Sequence, residues 1–122
     1  MSQNFDKTYG DVKIALVYIN DDDIPEALIE QEGNMGWDII TYDSGNAIHL
    51  VYVTDLVYKP KGSGFYNSWS DGEEWGTDYY IMKGTNVSTS SEKELGDEYI
   101  KNCKQFNGIF YASTEEALRH IE

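Results

Sequence analysis

A chain of 122 residues suits a single domain that buries about two-thirds of its unfolded surface, and its 40% hydrophobic and 14% aromatic content supplies the core that acidic disordered segments lack. Against 9 Lys and Arg stand 22 Asp and Glu, a net charge of -13, which argues against direct contact with nucleic-acid phosphates or anionic membranes, both of which call for basic side chains. No run reaches the roughly 18 apolar residues of a membrane helix, the start Met1 to Lys7 lacks the pattern of a signal peptide, and the lone Cys103 forms no internal disulfide, so a cytoplasmic protein is expected.

Val12 to Ile19 is apolar on both alternating faces, the pattern of a central strand. Asp23 and Glu26 have capping-box spacing and Pro25 suits a first turn, which predicts a helix to about Glu32 that buries Ile24, Ala27, Leu28 and Gln31. Trp37 to Tyr42 and Ala47 to Tyr58 are β-rich and joined by the short polar loop Asp43-Ser44-Gly45-Asn46; the second is long for one strand and is expected to bend near Thr54-Asp55.

Phe65 to Trp69 and Thr77 to Lys83 form a second expected hairpin about the acidic turn Asp71 to Glu74. Gly84 to Ser90 is read as a polar loop. Ser91 to Glu94 is a capping box opening a helix that aligns Leu95, Tyr99 and Cys103, with Phe106 beyond. Ile109 to Ala112 is a short expected strand. Ser113 with Glu116 caps a last helix whose Ala117, Leu118 and Ile121 face inward. The order β, α, ββ, ββ, α, β, α predicts one α+β domain over 1–122, a mainly antiparallel sheet of about five or six strands with about three helices packed on it.

For chemistry, the two histidines and the thiol come first. His49 shares its strand face with Val51 and Val53 and has Asp55 six positions on, an arrangement that suits a half-buried structural histidine and on which any hydrolase reading would rest. His120 falls in the last turn of the terminal helix, where a cation suits the helix dipole. Cys103 sits on an apolar helix face, and one thiol with two distant histidines does not make a zinc site. Asp21, Asp23 and Glu32 match three positions of a calcium loop, but Pro25 and Glu26 stand where a ligand and the turn glycine belong. No phosphate-binding loop or nucleophile elbow occurs, and no catalytic residue, metal or cofactor is assigned.

Charge placement is more informative. Residues 14–58 contain no Lys or Arg but nine acids: Asp21, Asp22, Asp23, Glu26, Glu30, Glu32, Asp38, Asp43 and Asp55. On the predicted helix and its flanks, Asp21, Asp22, Asp23, Glu26 and Glu30 would form a negative face able to imitate nucleic-acid phosphates. A second group, Asp71, Glu73, Glu74 and Asp78, is interleaved with aromatics, of which Trp69 and Trp75 near the turn are expected outside.

The expectation is a protein-binding inhibitor that occludes a basic surface, on a nucleic-acid enzyme, with Asp21, Asp22, Asp23, Glu26, Glu30, Trp69, Asp71, Glu73, Glu74 and Trp75 as its contacts. Phage anti-restriction and anti-CRISPR proteins and nuclease-immunity proteins are classes of this composition, in which a phage-encoded member would act in the host cytoplasm. The alternative is a small-molecule or carbohydrate-binding module with Trp69, Trp75, Tyr79 and Tyr80 as a stacking platform.

Overall fold

The computed structural model describes residues 12–22, 24–31, 36–43, 45–70 and 72–121. β1 (Val12–Val17) and β2 (Glu26–Gln31) pair antiparallel, from Val12 opposite Gln31 to Val17 opposite Glu26. The segment expected as a helix is therefore a strand. Packing overrides its helical propensity: a helix hides Ala27 and Leu28 and leaves Ile29 to solvent, whereas alternation buries all three, each at most 3% exposed. Glu26, expected as an exposed capping residue, is fully buried as a result.

β3 (Trp37–Asp43) and β4 (Asn46–Val53) complete a sheet of order β1-β2-β3-β4. β1 thus stands at the end of the order, not in its middle as its two apolar faces suggested. Its outer edge carries, among the described residues, one bridge, in which Ile14 and Tyr111 exchange two backbone hydrogen bonds of 2.8 Å. Among the described residues, that bridge is what stands in place of the strand expected at Ile109 to Ala112. A register shift between Ile39 and Ile40 leaves Leu50 without a cross-strand partner and lets both Leu50 and Val51 turn toward the core.

At Thr54-Asp55 the long β segment breaks, as its polar residues suggested, and the chain crosses to a second sheet. Its order is β8-β7-β6-β5-β9, formed by β5 (Val57–Tyr58), β6 (Gly64–Ser70), β7 (Trp75–Lys83), β8 (Asn86–Ser90) and β9 (Lys104–Gln105), with every pairing antiparallel. Asn86 to Ser90 is a strand, not a loop, because Lys83 and Asn86 close a two-residue turn in which Gly84 takes φ 59°, and Val87 then packs on the core.

The described residues hold three short helices, α1 (Glu92–Leu95), α2 (Asp97–Lys101) and α3 (Thr114–Leu118). Both serines cap their helices as expected: Ser91 Oγ accepts from the Glu94 amide at 3.1 Å and Ser113 Oγ from the Glu116 amide at 3.2 Å. The single helix expected after Ser91 is split at Gly96, whose φ 90° and ψ 146° end one helix and begin the next. In α3 Ala117 is buried, but Leu118 is 53% exposed because so short a helix presents one side to the sheet. The fold is mostly β, two antiparallel sheets of four and five strands, and not the single-sheet α+β arrangement expected.

Ala15, Val17, Ile19, Leu28, Ile39 and Val53 meet Leu56, Tyr58, Phe65, Met82 and Phe106 in the core between the sheets. The other face of the first sheet, with Val12, Ile14, Leu16, Ala27, Ile29 and Ile40, is covered by Ala117 of α3 and flanked by Tyr42, Tyr111 and Ile121. Among the described residues no helix is long and apolar enough to cross a membrane.

Candidate protein-binding surface

The β6–β7 hairpin begins inside the molecule and ends outside it. On its inner face Phe65 is fully buried and stacks on Tyr80 at 5.2 Å between ring centroids, and Asn67 is 6% exposed. Asn67 marks the corner where the chain changes sheets. Its Oδ1 accepts from the Thr54 amide at 3.0 Å, the Asp55 amide at 3.0 Å and the Thr54 hydroxyl at 3.2 Å.

Beyond Asn67 the two strands run on as an arm. Asp78, opposite Asn67, is exposed, and Trp69 is half-buried with its indole laid over Gly76; a Cβ at Gly76 would lie 2.5 Å from Trp69 Cζ2. Glycine is thus the residue that lets Trp69 lie flat on its own hairpin. At the tip, Ser70 Oγ accepts from the Gly72 amide at 3.2 Å, Gly72 takes φ 96°, and Glu73 and Glu74 are exposed; Asp71 lies outside the described residues.

Strand alternation sends Trp75, Thr77 and Tyr79 to the outer face, beside Ser70, Ser68 and Tyr66. The upper half of that face is covered. Tyr99 of α2 accepts from the Gly64 amide at 2.9 Å and donates to the Gly64 carbonyl at 2.8 Å, and Leu95 packs so closely that a Cβ at Gly64 would come within 2.7 Å of it. Burial, with the nearby Glu92 carboxylate of α1, raises the pKa of the Tyr79 phenol. In the lower half Ser68 and Ser70 are exposed, and Trp75 is 81% exposed. An exposed indole next to two carboxylates gains most from a groove that is apolar inside and basic at its rim.

The described acids of the 14–58 span do not assemble into one face. Asp21 and Asp22 are exposed on the β1–β2 loop, Asp23 lies outside the described residues, and Glu30 is half-buried on β2 opposite Trp37. Asp38 contacts His49, and Asp55 accepts from Gln105 at 3.0 and 3.1 Å. Glu26 points between the sheets, where its Oε1 accepts from the Ile19 amide at 2.9 Å and its Oε2 from the Thr41 hydroxyl at 3.2 Å. Burial pushes its pKa from 4.5 to about 7, with the Asp22 carboxylate adding to the rise and the hydrogen bonds opposing it. A group so placed presents no charge to a partner.

The β1–β2 loop and the hairpin tip stand at opposite ends of the sheets. The Lys61 amide donates to the Tyr18 carbonyl, the Ser63 amide to the Ile19 carbonyl and Asn20 Nδ2 to the Gly84 carbonyl, which ties the loop to the ends of β6 and β7 farthest from Glu73 and Glu74. Seven residues of β6 span roughly 20 Å between them. The loop's end also carries cations, with Lys61 Nζ 4.9 Å from the Tyr18 ring centroid, whereas residues 62–82 contain no Lys or Arg. That second basic-free span was legible in the sequence, and it carries the exposed acids Glu73, Glu74 and Asp78.

His49 Nε2 lies 2.9 Å from Asp38 Oδ1, with the imidazole 55% exposed on the outer face of β4; it is neither half-buried nor beside Asp55 as expected. His120 stacks on Tyr111 at 4.8 Å between centroids. Cys103 is half-buried and burial raises its thiol pKa, with Lys59 opposing. Among the described residues no three His, Cys, Asp or Glu gather to hold a metal ion. Trp69 and Tyr80 lie on one face of the hairpin and Trp75 and Tyr79 on the other, so these four rings do not form the single platform expected of a carbohydrate module. Comparison of the chain with protein-family models, with curated proteins and with solved structures returns no match.

Proposed function

We propose that the protein is a binding inhibitor whose acidic β6–β7 arm enters a basic, partly apolar groove on a target protein, a groove of the kind that nucleic-acid enzymes use to hold their substrate. The observation that carries the proposal is Trp75, 81% exposed on an arm whose flanking Glu73 and Glu74 face solvent. The net charge of -13 steers encounter with a basic partner, and a buried indole supplies affinity by removing roughly 150–250 Å² from water. Occlusion follows from occupancy: a groove filled by the arm has no room for a phosphate backbone. Phage anti-defence proteins and nuclease-immunity proteins are classes with this physical logic.

The test is to immobilise the purified protein, screen basic nucleases and other nucleic-acid enzymes, and measure each complex at low and at physiological salt. Binding that weakens about tenfold or more with salt, competes with DNA or RNA, and drops about a hundredfold in Trp75→Ala supports the proposal. Glu73→Lys with Glu74→Lys should slow association. Binding indifferent to both variants would overturn the assignment of the arm, and a target that still holds its nucleic acid would overturn inhibition.

A further inference from the structure

We propose that Glu26 is a proton-operated latch on the β1–β2 loop: neutral, it holds the loop against both sheets, and ionised, it releases the loop and the exposed Asp21 and Asp22 toward solvent. The inference concerns the free protein and stands whether or not the arm binds a partner.

Three features of the geometry support it. Glu26 is the first residue of β2 and is 0% exposed, and the described loop residues 18–22 and 24–25, through Ile19 and Asn20 at its carboxyl, part it from water at that end of the sheets. The loop is held to the body through a connected set of polar bonds that begins at this carboxyl. Glu26 joins Thr41 of β3 to the Ile19 and Asn20 amides; Asn20, 3% exposed, donates to the Gly84 carbonyl and accepts from the Asp22 amide at 3.2 Å, and Asp22 Oδ1 accepts from the Ile24 amide at 3.0 Å. Farther along the loop there is little apolar anchoring, since Asp21 and Asp22 are exposed and Ile24 is 50% exposed. The loop's apolar anchor is Ile19, fully buried in the core, so an opening that withdraws this side chain hydrates Glu26 while the strand ladders of both sheets stay intact.

The groups around Glu26 do not neutralise its charge. The loop contributes the Ile19 and Asn20 amides and the like-charged Asp22 carboxylate, and β3 contributes the Thr41 hydroxyl. The facing sheet brings Tyr58, Phe65 and Met82 to this layer, none charged at neutral pH. Among the described residues a carboxylate there has hydrogen-bond donors but no counter-ion, and desolvation outweighs the donors. With a pKa of about 7 when covered and about 4.5 when hydrated, linkage requires that raising the pH across this interval shift the loop toward its open form by about a hundredfold.

The experiment is amide hydrogen exchange by NMR at pH 5.5 and 8.5, corrected for intrinsic exchange, on wild type and Glu26→Gln. The reporters are Ile19, Lys61 and Ser63, whose amides bond to Glu26, Tyr18 and Ile19, with the β6–β7 ladder as reference. Protection of the reporters should fall about thirtyfold in wild type between these two pH values while the ladder holds, and should stay flat in Glu26→Gln, whose amide can serve both Ile19 and Thr41 without a charge. Flat wild-type protection, or reporters and ladder falling together, overturns the latch. Should Glu26→Gln fail to fold, the ¹³C shift of the Glu26 carboxyl in wild type decides: a midpoint near 7 tracking the loss of protection supports the proposal, and one near 4.5 sinks it.

Discussion

Replacing Asn67 by Ala should loosen the corner that launches the arm. Its Oδ1 takes three hydrogen bonds, from the Thr54 amide, the Thr54 hydroxyl and the Asp55 amide, at 3.0, 3.2 and 3.0 Å. A net hydrogen bond stabilises by roughly 1 kcal/mol, and a stranded buried donor costs more. Thr54 is exposed and Asp55 half-buried, so water can reach part of what is stranded and the total should stay near the low end, about 2 kcal/mol. For a chain of this size that lowers the urea midpoint by about 1 M and the melting temperature by about 8 °C, with an unchanged denaturant slope. Ser68→Ala, one residue on and exposed, is the control and should shift stability by less than about 0.5 kcal/mol. The assay is urea unfolding followed by tryptophan fluorescence and circular dichroism. A loss under about 0.5 kcal/mol in Asn67→Ala would show that the sheet switch is held by the core alone and refute the role given to this side chain.

Glu26→Gln should alter the pH dependence of global stability in a defined direction. The folded state holds its proton to about pH 7 and the unfolded chain to about 4.5, so the folded form binds more protons in between and wild-type stability falls as pH rises through that window. The difference between variant and wild type should be near zero at pH 4 and favour the variant by up to about 3 kcal/mol above pH 8, less if the loop opens first; parallel curves in thermal melts across this range would refute it. Tyr99→Phe removes the hydroxyl that both accepts from and donates to Gly64, and should cost about 2 kcal/mol while exposing the amides of α2 to exchange. A variant with wild-type stability and unchanged α2 protection would mean that Leu95 docks these helices without help from Tyr99.

Much of the local structure was legible in the sequence because it depends on neighbours along the chain. The serine caps at Ser91 and Ser113, the strands about Asp43 to Asn46, the break at Thr54-Asp55 and the hairpin about Asp71 to Glu74 are each specified within a few residues. The same holds for part of the candidate surface, since Trp75 stands beside a charged turn where no core position is available. The misreadings concern partners distant in sequence. Asp23, Pro25 and Glu26 spell a helix start, yet Ala27, Leu28 and Ile29 can all be buried together only between β1 and β3.

Length, charge, antiparallel pairing and an exposed tryptophan on an acidic turn were thus determined by the sequence itself, through composition and short-range alternation. Tertiary structure decided which acids are available. It placed Glu26 in a desolvated layer between two sheets, paired Asp38 with His49, and set the β1–β2 loop and the hairpin tip at opposite ends of the strands. The physical reason is that a carboxylate's charge depends on its hydration, and hydration is settled by the segments that fold over it from elsewhere in the chain.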